Sequence, residues 1–399
     1  MSFDYYASLA ENKACPKRVN ESGLASGFGD GCVVWSCQDR PQDKKAPDPK
    51  NESRRCYMKL AAELELNPPP DLHLEPDHAS LPDSNWFIID VSFTLVSPWY
   101  SKDDRPFHVL DNPVRKDRVF GMPFMSAASW KGLLRWACRM QAGLSVHLDS
   151  HDMKMNGWRD PSWILHLFGN EKGEDEQFRS GALACYPTWF NKIGFEVINP
   201  HSRTRRAGTQ PIYYEVVPAG TTGRLQLLYA PLPGEIERDK VSPADFIDGF
   251  IDSIKALLET YGISAKRTAG WGTARIDYEK SKLRYLEGGC LSELVSQNTD
   301  VPSFEQPRDE FMKLMTEQGD PISVLLGADG KLISKTQFKK LADKKPCTNQ
   351  ELETFREWYD QHGSEYKKHL SADGACQSAL KIRGISFKEF LNARKGGDQ

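Results

Sequence analysis

The hydrophobic pattern changes character twice along the chain. Before Trp86 the apolar residues follow no period, Gly and Asp cluster at Gly27–Gly31, and Pro, Lys and Asp dominate Pro41–Pro49. That composition predicts loop, with one short helix over Cys56–Leu66 stopped by Pro68–Pro70. From Trp86 the pattern becomes regular. Phe87, Ile89, Val91, Phe93 and Leu95 alternate with Ile88, Asp90, Ser92 and Thr94, which predicts a strand ended by Pro98. An irregular loop is expected from Trp99 to Met125. Past about Glu287 the alternation gives way to charged segments such as Asp309–Glu317 and Glu351–His369, which read as helices.

Between those limits the period switches from two to the helical repeat and back. Ser126 is a good N-cap for a helix whose buried stripe is Trp130, Leu133, Leu134, Ala137 and Cys138. Lys131, Arg135 and Arg139 lie four apart on another face. Gly132 inside that helix points to a close backbone approach. Gly181–Tyr186 and Gly223–Tyr229 read as strands. Phe195–Ile198 and Ile212–Val217 read as a hairpin around the polar loop Asn199–Gln210. A second helix is expected from Pro243 to Tyr261, stopped by Gly262, and a last strand over Thr273–Tyr278. With the hairpin set aside, the order is β-α-β-β-α-β. The expected fold is therefore α+β, a ferredoxin-like (RRM-like) core over 86–285 with an inserted thumb-like hairpin. A loop-rich N-terminal extension (1–85) and a charged, mainly helical C-terminal extension (286–399) flank it. Two helices cover one sheet face, and the other is free for a ligand, as in proteins that hold single-stranded RNA.

Charge and composition narrow the classes. The net charge of −3 carries no global basic signature, so any nucleic-acid contact has to come from local clusters. The start MSFDYYASLAENK has no apolar segment of a secretory signal, and no apolar run is long enough to span a bilayer, so a cytoplasmic protein without membrane partners is expected. In that compartment cysteines are thiols or metal ligands. Cys15, Cys32, Cys37 and Cys56 fall in the core-poor leader and are a candidate structural Zn²⁺ set, but no CxxC is present and the outer two are distant in sequence, which favours unrelated free thiols.

Three basic or glycine-rich segments carry candidate chemistry. At the first helix start, free N–H groups with Ser126, Ser129, Lys131 and Arg135 make an anion site suited to phosphate, or else a capped helix with solvated cations. Ser264–Ile276 (SAKRTAGWGTARI) places Lys266, Arg267 and Trp271 around Gly270 and Gly272. Asn199–Gly220 holds the densest basic loop, His201, Arg203, Arg205 and Arg206, followed by Tyr213 and Tyr214, which are either stacking groups or core.

Leu110–Trp136 (LDNPVRKDRVFGMPFMSAASWKGLLRW) resembles the first signature of the repeat-associated (RAMP) superfamily of CRISPR proteins. There, Asp-Asn/Ser-Pro-Val and a basic residue lead into Pro-aromatic/Ile-Pro-Gly-Ser-Ser-Leu-Lys-Gly. Asp111, Asn112, Pro113, Val114, Pro123, Ser126, Ser129, Lys131, Gly132 and Arg135 fit it. Ala127 and Ala128 replace its Gly-Ser, and Trp130 replaces an aliphatic residue. The GWG segment sits where the family carries its glycine-rich loop. Asn199-Pro200-His201 and Glu215–Thr221 resemble the Asn-Pro-His and Glu-x-Val-Pro-x-Gly-Thr stretches of some members.

The resemblance implies a backbone-type subunit of a type III effector complex in antiviral defence. Its partners would be a guide (CRISPR) RNA, a target single-stranded RNA and the other effector subunits. It implies that Asp111 is the residue that cuts target RNA, as a metal-dependent endoribonuclease using Mg²⁺ and the ribose 2′-hydroxyl. Asp103, Asp104, His108 and Asp117 in the same loop are candidate helpers that spacing does not rank, His108 as a proton-transfer group. The alternatives are a non-cutting scaffold or terminal capping subunit, a ribonuclease that trims guide precursors through His108 or His201, and an unrelated zinc-containing protein. The resemblance spans about half the chain. Both extensions depart from the family pattern and point to a specialised or terminal position.

Overall fold

In a computed structural model of the chain, the described residues are 48–68, 73–76, 80–104, 108–170, 178–200, 211–292, 307–316, 319–327, 332–339, 346–374 and 382–395, with isolated positions between them. The chain divides into two units, residues 1–292 with 383–395, and residues 293–382 with 396–399. In chain order the first unit contains α1 (Pro49–Glu63), β1 (Phe87–Leu95), α2 (Ala127–Gln141), β2 (Leu183–Cys185), β3 (Gly194–Ile198), β4 (Ile212–Val216), β5 (Thr222–Tyr229), α3 (Pro243–Ala256), β6 (Ala274–Ile276), β7 (Lys282–Leu286), β8 (Ile382–Ser386) and α4 (Phe387–Lys395).

The alternating strand β1 is the centre of the sheet. It pairs antiparallel with β5, from Phe87↔Tyr229 to Thr94↔Thr222. Its other edge pairs with β6 (Phe93↔Ile276) and then β7 (Phe87↔Tyr285). β2 lies outside β5 and β8 outside β7. The first strand thus sits between the third and the last, which is the ferredoxin-like order. The long last strand expected over Thr273–Tyr278 is instead two short ones. Asp277–Ser281 interrupts them, and the Ser92 N–H at the gap donates to Ser281 Oγ at 3.1 Å.

Phe87, Ile89, Val91, Phe93 and Leu95 are all buried on the helical face. Trp130 of α2 meets the Phe93 ring edge-on at 6.2 Å, and Phe246 of α3 lies over Phe87 and Tyr229. α3 begins with a capping box between Ser242 and Asp245, widens into a π turn over Leu257–Tyr261, and ends at Gly262 with φ +78°. The opposite sheet face is not bare. The Arg224 guanidinium grips Asp90 (Nε–Oδ1 2.7 Å) and Glu75, and His78 meets Tyr186 edge-on. A segment of the leader therefore lies on the face that the sequence left for a ligand.

α1 starts earlier than the Cys56 expected from sequence, because Asp48 caps it (accepting from Lys50 N at 3.1 Å) and Pro49 occupies the first turn. Its Tyr57 and Ala61 enter a core with Val109, Leu110, Met122 and Ile193. The leader is thereby built into the domain around the Asp111 loop.

The second unit has its own core. Phe311, Leu325, Phe338, Leu352, Phe355 and Trp358 are buried around the helix Asn349–Gly374. The charged stretch from Asp309 is helical only to Met312. Residues 383–395 belong to the first unit as β8 and α4, a return that the charge pattern of 286–399 does not announce.

Candidate nucleic-acid interface

The segment after β1 is stitched to the glycine-rich loop. Trp99 Nε1 donates to Ile263 O at 3.0 Å, Tyr100 N to Ser264 Oγ at 3.0 Å, and Ala265 N to Tyr100 O at 2.8 Å. The loop closes on itself through Ile263 N to Gly272 O at 2.9 Å. Gly272 has φ +83°, and a Cβ there would lie 2.4 Å from Ser264 N, so only glycine permits this closure.

Between that loop and the start of α2 lies a groove of about 360 Å³, lined among others by Trp99, Ser129, Gly132, Ser264 and Arg267. The fold thus brings the start of α2 and the glycine-rich loop to one groove. The expectation of a close backbone approach at Gly132 does not hold, since a Cβ there would meet nothing within 4 Å. Glycine instead leaves room in the groove wall. Ser126 caps α2 by accepting from Ser129 N at 3.2 Å, and the two hydroxyls share a bond of 2.9 Å. Arg267 stacks its guanidinium over Trp136 at 4.1 Å. Its Nη1 is buried and has no hydrogen-bond partner among the described residues. A buried guanidinium nitrogen with an unmet donor is a place for an anionic oxygen.

Lys131, the neighbour in sequence of Gly132, is exposed. Arg135 is not available to a ligand. It is buried and donates to Asp160 Oδ2 through Nε (2.9 Å) and Nη2 (2.7 Å), while Arg139 and the Trp158 indole take up the same carboxylate. Burial raises the Asp160 pKa, but Arg139, Trp158 and Arg135 outweigh it and hold the carboxyl below the usual range. The i+4 spacing with Lys131 suggested a solvated face for Arg135, but its partner comes from a loop 25 residues away.

The two tyrosines of β4 separate, as adjacent strand residues must. Tyr214 is buried beneath the glycine-rich loop, with Trp271 edge-on at 5.8 Å and Lys266 Nζ 4.6 Å above its ring. Tyr213 is exposed opposite Val197 on β3, also exposed.

Glu215, the next residue on β4, is fully buried on the other side. Lys116 Nζ donates to its oxygens at 2.6 and 2.5 Å, Tyr57 donates its hydroxyl, and Val114 N donates at 3.0 Å. Burial pushes the Glu215 carboxyl up. Lys116, His108 and the hydrogen bonds more than offset this and leave it below the usual carboxylate range. His108 is held inside this network. Its Nδ1 accepts from Leu110 N at 3.1 Å, and its Nε2 faces Glu215 at 3.8 Å. The network fixes the loop that carries Asp111.

Asp111 itself projects outward with a 77% exposed side chain. Arg54 of α1 donates from Nη2 to both carboxylate oxygens, at 3.1 and 3.0 Å, and from Nε to Val109 O at 3.1 Å. Asn112 fastens the loop to the hairpin, with Nδ2 donating to Tyr213 O at 3.2 Å. The sequence reading missed both Arg54 and Tyr57. Arg54 pairs with both oxygens of Asp111, and no group of three metal-binding side chains gathers among the described residues, so any Mg²⁺ there would have Asp111 as its protein ligand together with water and RNA phosphate.

His201, Arg203, Arg205 and Arg206 lie outside the described residues, as do Cys15 and Cys32. Cys37 is exposed, and Cys56 is half-buried at the core around Tyr57. No helix of the described residues is long and apolar enough to cross a membrane.

Residues 92–275, which supply β1 beyond Val91, α2, both β4 faces and the glycine-rich loop, match the sequence model of the RAMP superfamily. This segment, somewhat less than half of the chain, is similar to the RAMP superfamily. The match excludes α1, the second unit and β7, β8 and α4, so Arg54 and Tyr57 reach the matched segment from outside it. No curated protein matches the chain. Among solved structures, it is similar to a chain of the type III-B Cmr-beta complex bound to cognate target RNA, at 16% identity and a TM-score of 0.33, over 50% of this chain and 61% of that one. It is also similar to a chain of the Csm3-Csm4 subcomplex of the type III-A CRISPR-Cas interference complex, at 16% identity and a TM-score of 0.29, over 50% of this chain and 78% of that one.

Proposed function

We propose that this chain is a guide-RNA-binding subunit of a type III CRISPR ribonucleoprotein, in which base pairing with the guide selects the target. The observation that carries the reading is the groove between α2 and the glycine-rich loop. There Ser129, Ser264 and the unmet Nη1 of Arg267 line one cleft inside the segment similar to the RAMP superfamily. A phosphodiester oxygen satisfies that donor, Lys131 next to Gly132 adds charge, and Lys266 with Trp271 continues the surface toward the hairpin. His201, Arg203, Arg205 and Arg206 belong to the proposed contact set by their position in the hairpin loop.

Guide RNA bearing 4-thiouridine, assembled with this chain and its neighbouring subunits, tests the reading by photocrosslinking. Crosslinks on peptides containing 126–133 and 264–271 support it. Crosslinks confined to the sheet face around Asp90 and Arg224 sink it.

Cleavage of the target strand at the Asp111 loop is the second part of the proposal. It is supported by the exposed carboxylate on a loop braced by Glu215 and Asn112. Asp111 takes the proton of the 2′-hydroxyl. The 2′-oxygen bonds to phosphorus, the bond to the 5′-oxygen breaks, and that oxygen takes a proton from water. In the complex with guide and labelled complementary RNA, Asp111→Ala removes one cut while target binding persists. Survival of every cut makes the chain a scaffold. Zn²⁺ in the leader remains part of the proposal for Cys15, Cys32, Cys37 and Cys56, and metal analysis of the purified chain decides it.

A further inference from the structure

Arg54 is the one group in contact with the exposed end of Asp111 among the described residues, and it comes from a helix that the family match leaves out. Its geometry is restrictive. Nε is held by the carbonyl of Val109 and Nη2 by both oxygens of Asp111, so the plane of the guanidinium is fixed by the same loop that carries the carboxylate. Tyr57, one turn further along α1, is buried against Glu215 and anchors the helix at this spot. The side chain of Arg54 is 24% exposed, and its Nη1 has no acceptor among the described residues. The outcome is a carboxylate facing solvent with a guanidinium edge beside it, both held by main-chain and buried contacts.

A bare carboxylate repels a phosphodiester. A carboxylate whose charge is balanced by a fixed guanidinium does not, and the free edge of that guanidinium matches a non-bridging phosphate oxygen. We propose that Arg54 is a catalytic residue of this site. Its Nη1 contacts the scissile phosphate of an RNA strand and stabilises the charge that builds on phosphorus oxygens during attack, while Nη2 orients Asp111 toward the 2′-hydroxyl. This rests on the cleavage reading above and adds to it the group that holds the phosphate. The leader helix is then part of the reaction centre of this protein.

The test uses the reconstituted complex with guide RNA and a labelled complementary RNA carrying either a normal phosphate or a stereopure phosphorothioate at the cut linkage. Wild type is compared with Arg54→Ala, Arg54→Lys and Asp111→Ala. Arg54→Ala is expected to slow the Asp111-dependent cut by about a hundredfold with RNA binding kept, and Arg54→Lys to recover part of the rate. One phosphorothioate isomer should slow the wild type and have no further effect in Arg54→Ala. A purely structural Arg54 would leave that sulfur effect unchanged.

If Asp111→Ala abolishes the cut but Arg54→Ala cuts as fast as wild type, Arg54 has no catalytic role and the cleavage reading stands. Faster cutting by Arg54→Ala means that Arg54 restrains Asp111, which also overturns the proposal. If every cut survives Asp111→Ala, the cleavage reading falls and the Arg54 role with it. Should Arg54→Ala fail to assemble, Arg54→Lys decides through the sulfur effect, where a change supports the contact and no change refutes it.

Discussion

The two sides of β4 are one residue apart and chemically opposite. On the Tyr214 side, aromatic rings and cations gather on the glycine-rich loop: Trp271 and Lys266 against Tyr214 and, next along the chain, Arg267, which lines the groove and stacks over Trp136 of α2. On the Glu215 side the charges are internal, with Lys116 and Glu215 both buried and Tyr57 between α1 and the hairpin. The first arrangement leaves donors unmet and suits a ligand. The second meets its donors within the protein and suits fixing a loop. A single strand thus separates a surface that binds from a brace that positions.

Breaking the brace should have the largest effect on stability. Glu215→Ala leaves Lys116 as a buried, unpaired cation and is expected to cost about 3–5 kcal/mol, read by urea unfolding. The double variant Lys116→Met, Glu215→Leu should recover most of that loss, because both charges leave together.

The same pair predicts an acid response. Glu215 and Asp160 have lowered folded-state values, so their contribution is complete at neutral pH. It is lost as pH falls below the unfolded values of about 4.3 for Glu and 3.9 for Asp and through the lower folded ones. Urea midpoints followed from pH 6 downward should drop in the wild type and drop less in Glu215→Gln. An equal slope would show that Glu215 is not held in its ionised form.

On the groove side the order of effects reverses. Arg267→Ala should weaken RNA binding about tenfold and flatten its salt dependence, read by filter binding across salt. Its unfolding stability should fall by only about 0.5–1 kcal/mol, the loss of stacking over Trp136, since no protein acceptor is lost at Nη1. The smallest expected effect is Tyr213→Ala, within about 0.5 kcal/mol of wild type in unfolding, because the ring is exposed. Tyr214→Ala should cost several times more, since it empties the space under Trp271. Equal costs for the two would mean that the faces of β4 are assigned the wrong way round.

The contrast also marks what the sequence could tell. The alternation of β1, the hairpin and the stripe of α2 follow from local period, and they locate the groove. The Asp111 site is legible only in part. Asp111 stands in a recognisable stretch, but Arg54 is 57 residues upstream in a segment of irregular composition, and Tyr57 reaches Glu215 across 158 positions. No local pattern encodes such pairs. Arg135 shows the converse error, because spacing along a helix gives its face but not whether a distant carboxylate fills it. β7 and β8 are too short to display a period against the charged residues around them.

The first unit is completed by residues 383–395, after the chain has passed through the second unit. In modular terms the second unit is an insertion, not a tail. Cutting the gene after Ser292 would remove β8 and α4 as well and expose the edge of β7 as a template for aggregation. Excising 293–381 and joining the ends with a short linker keeps that edge covered. Any family of shorter variants should therefore differ by internal loss of the second unit, with the last strand retained.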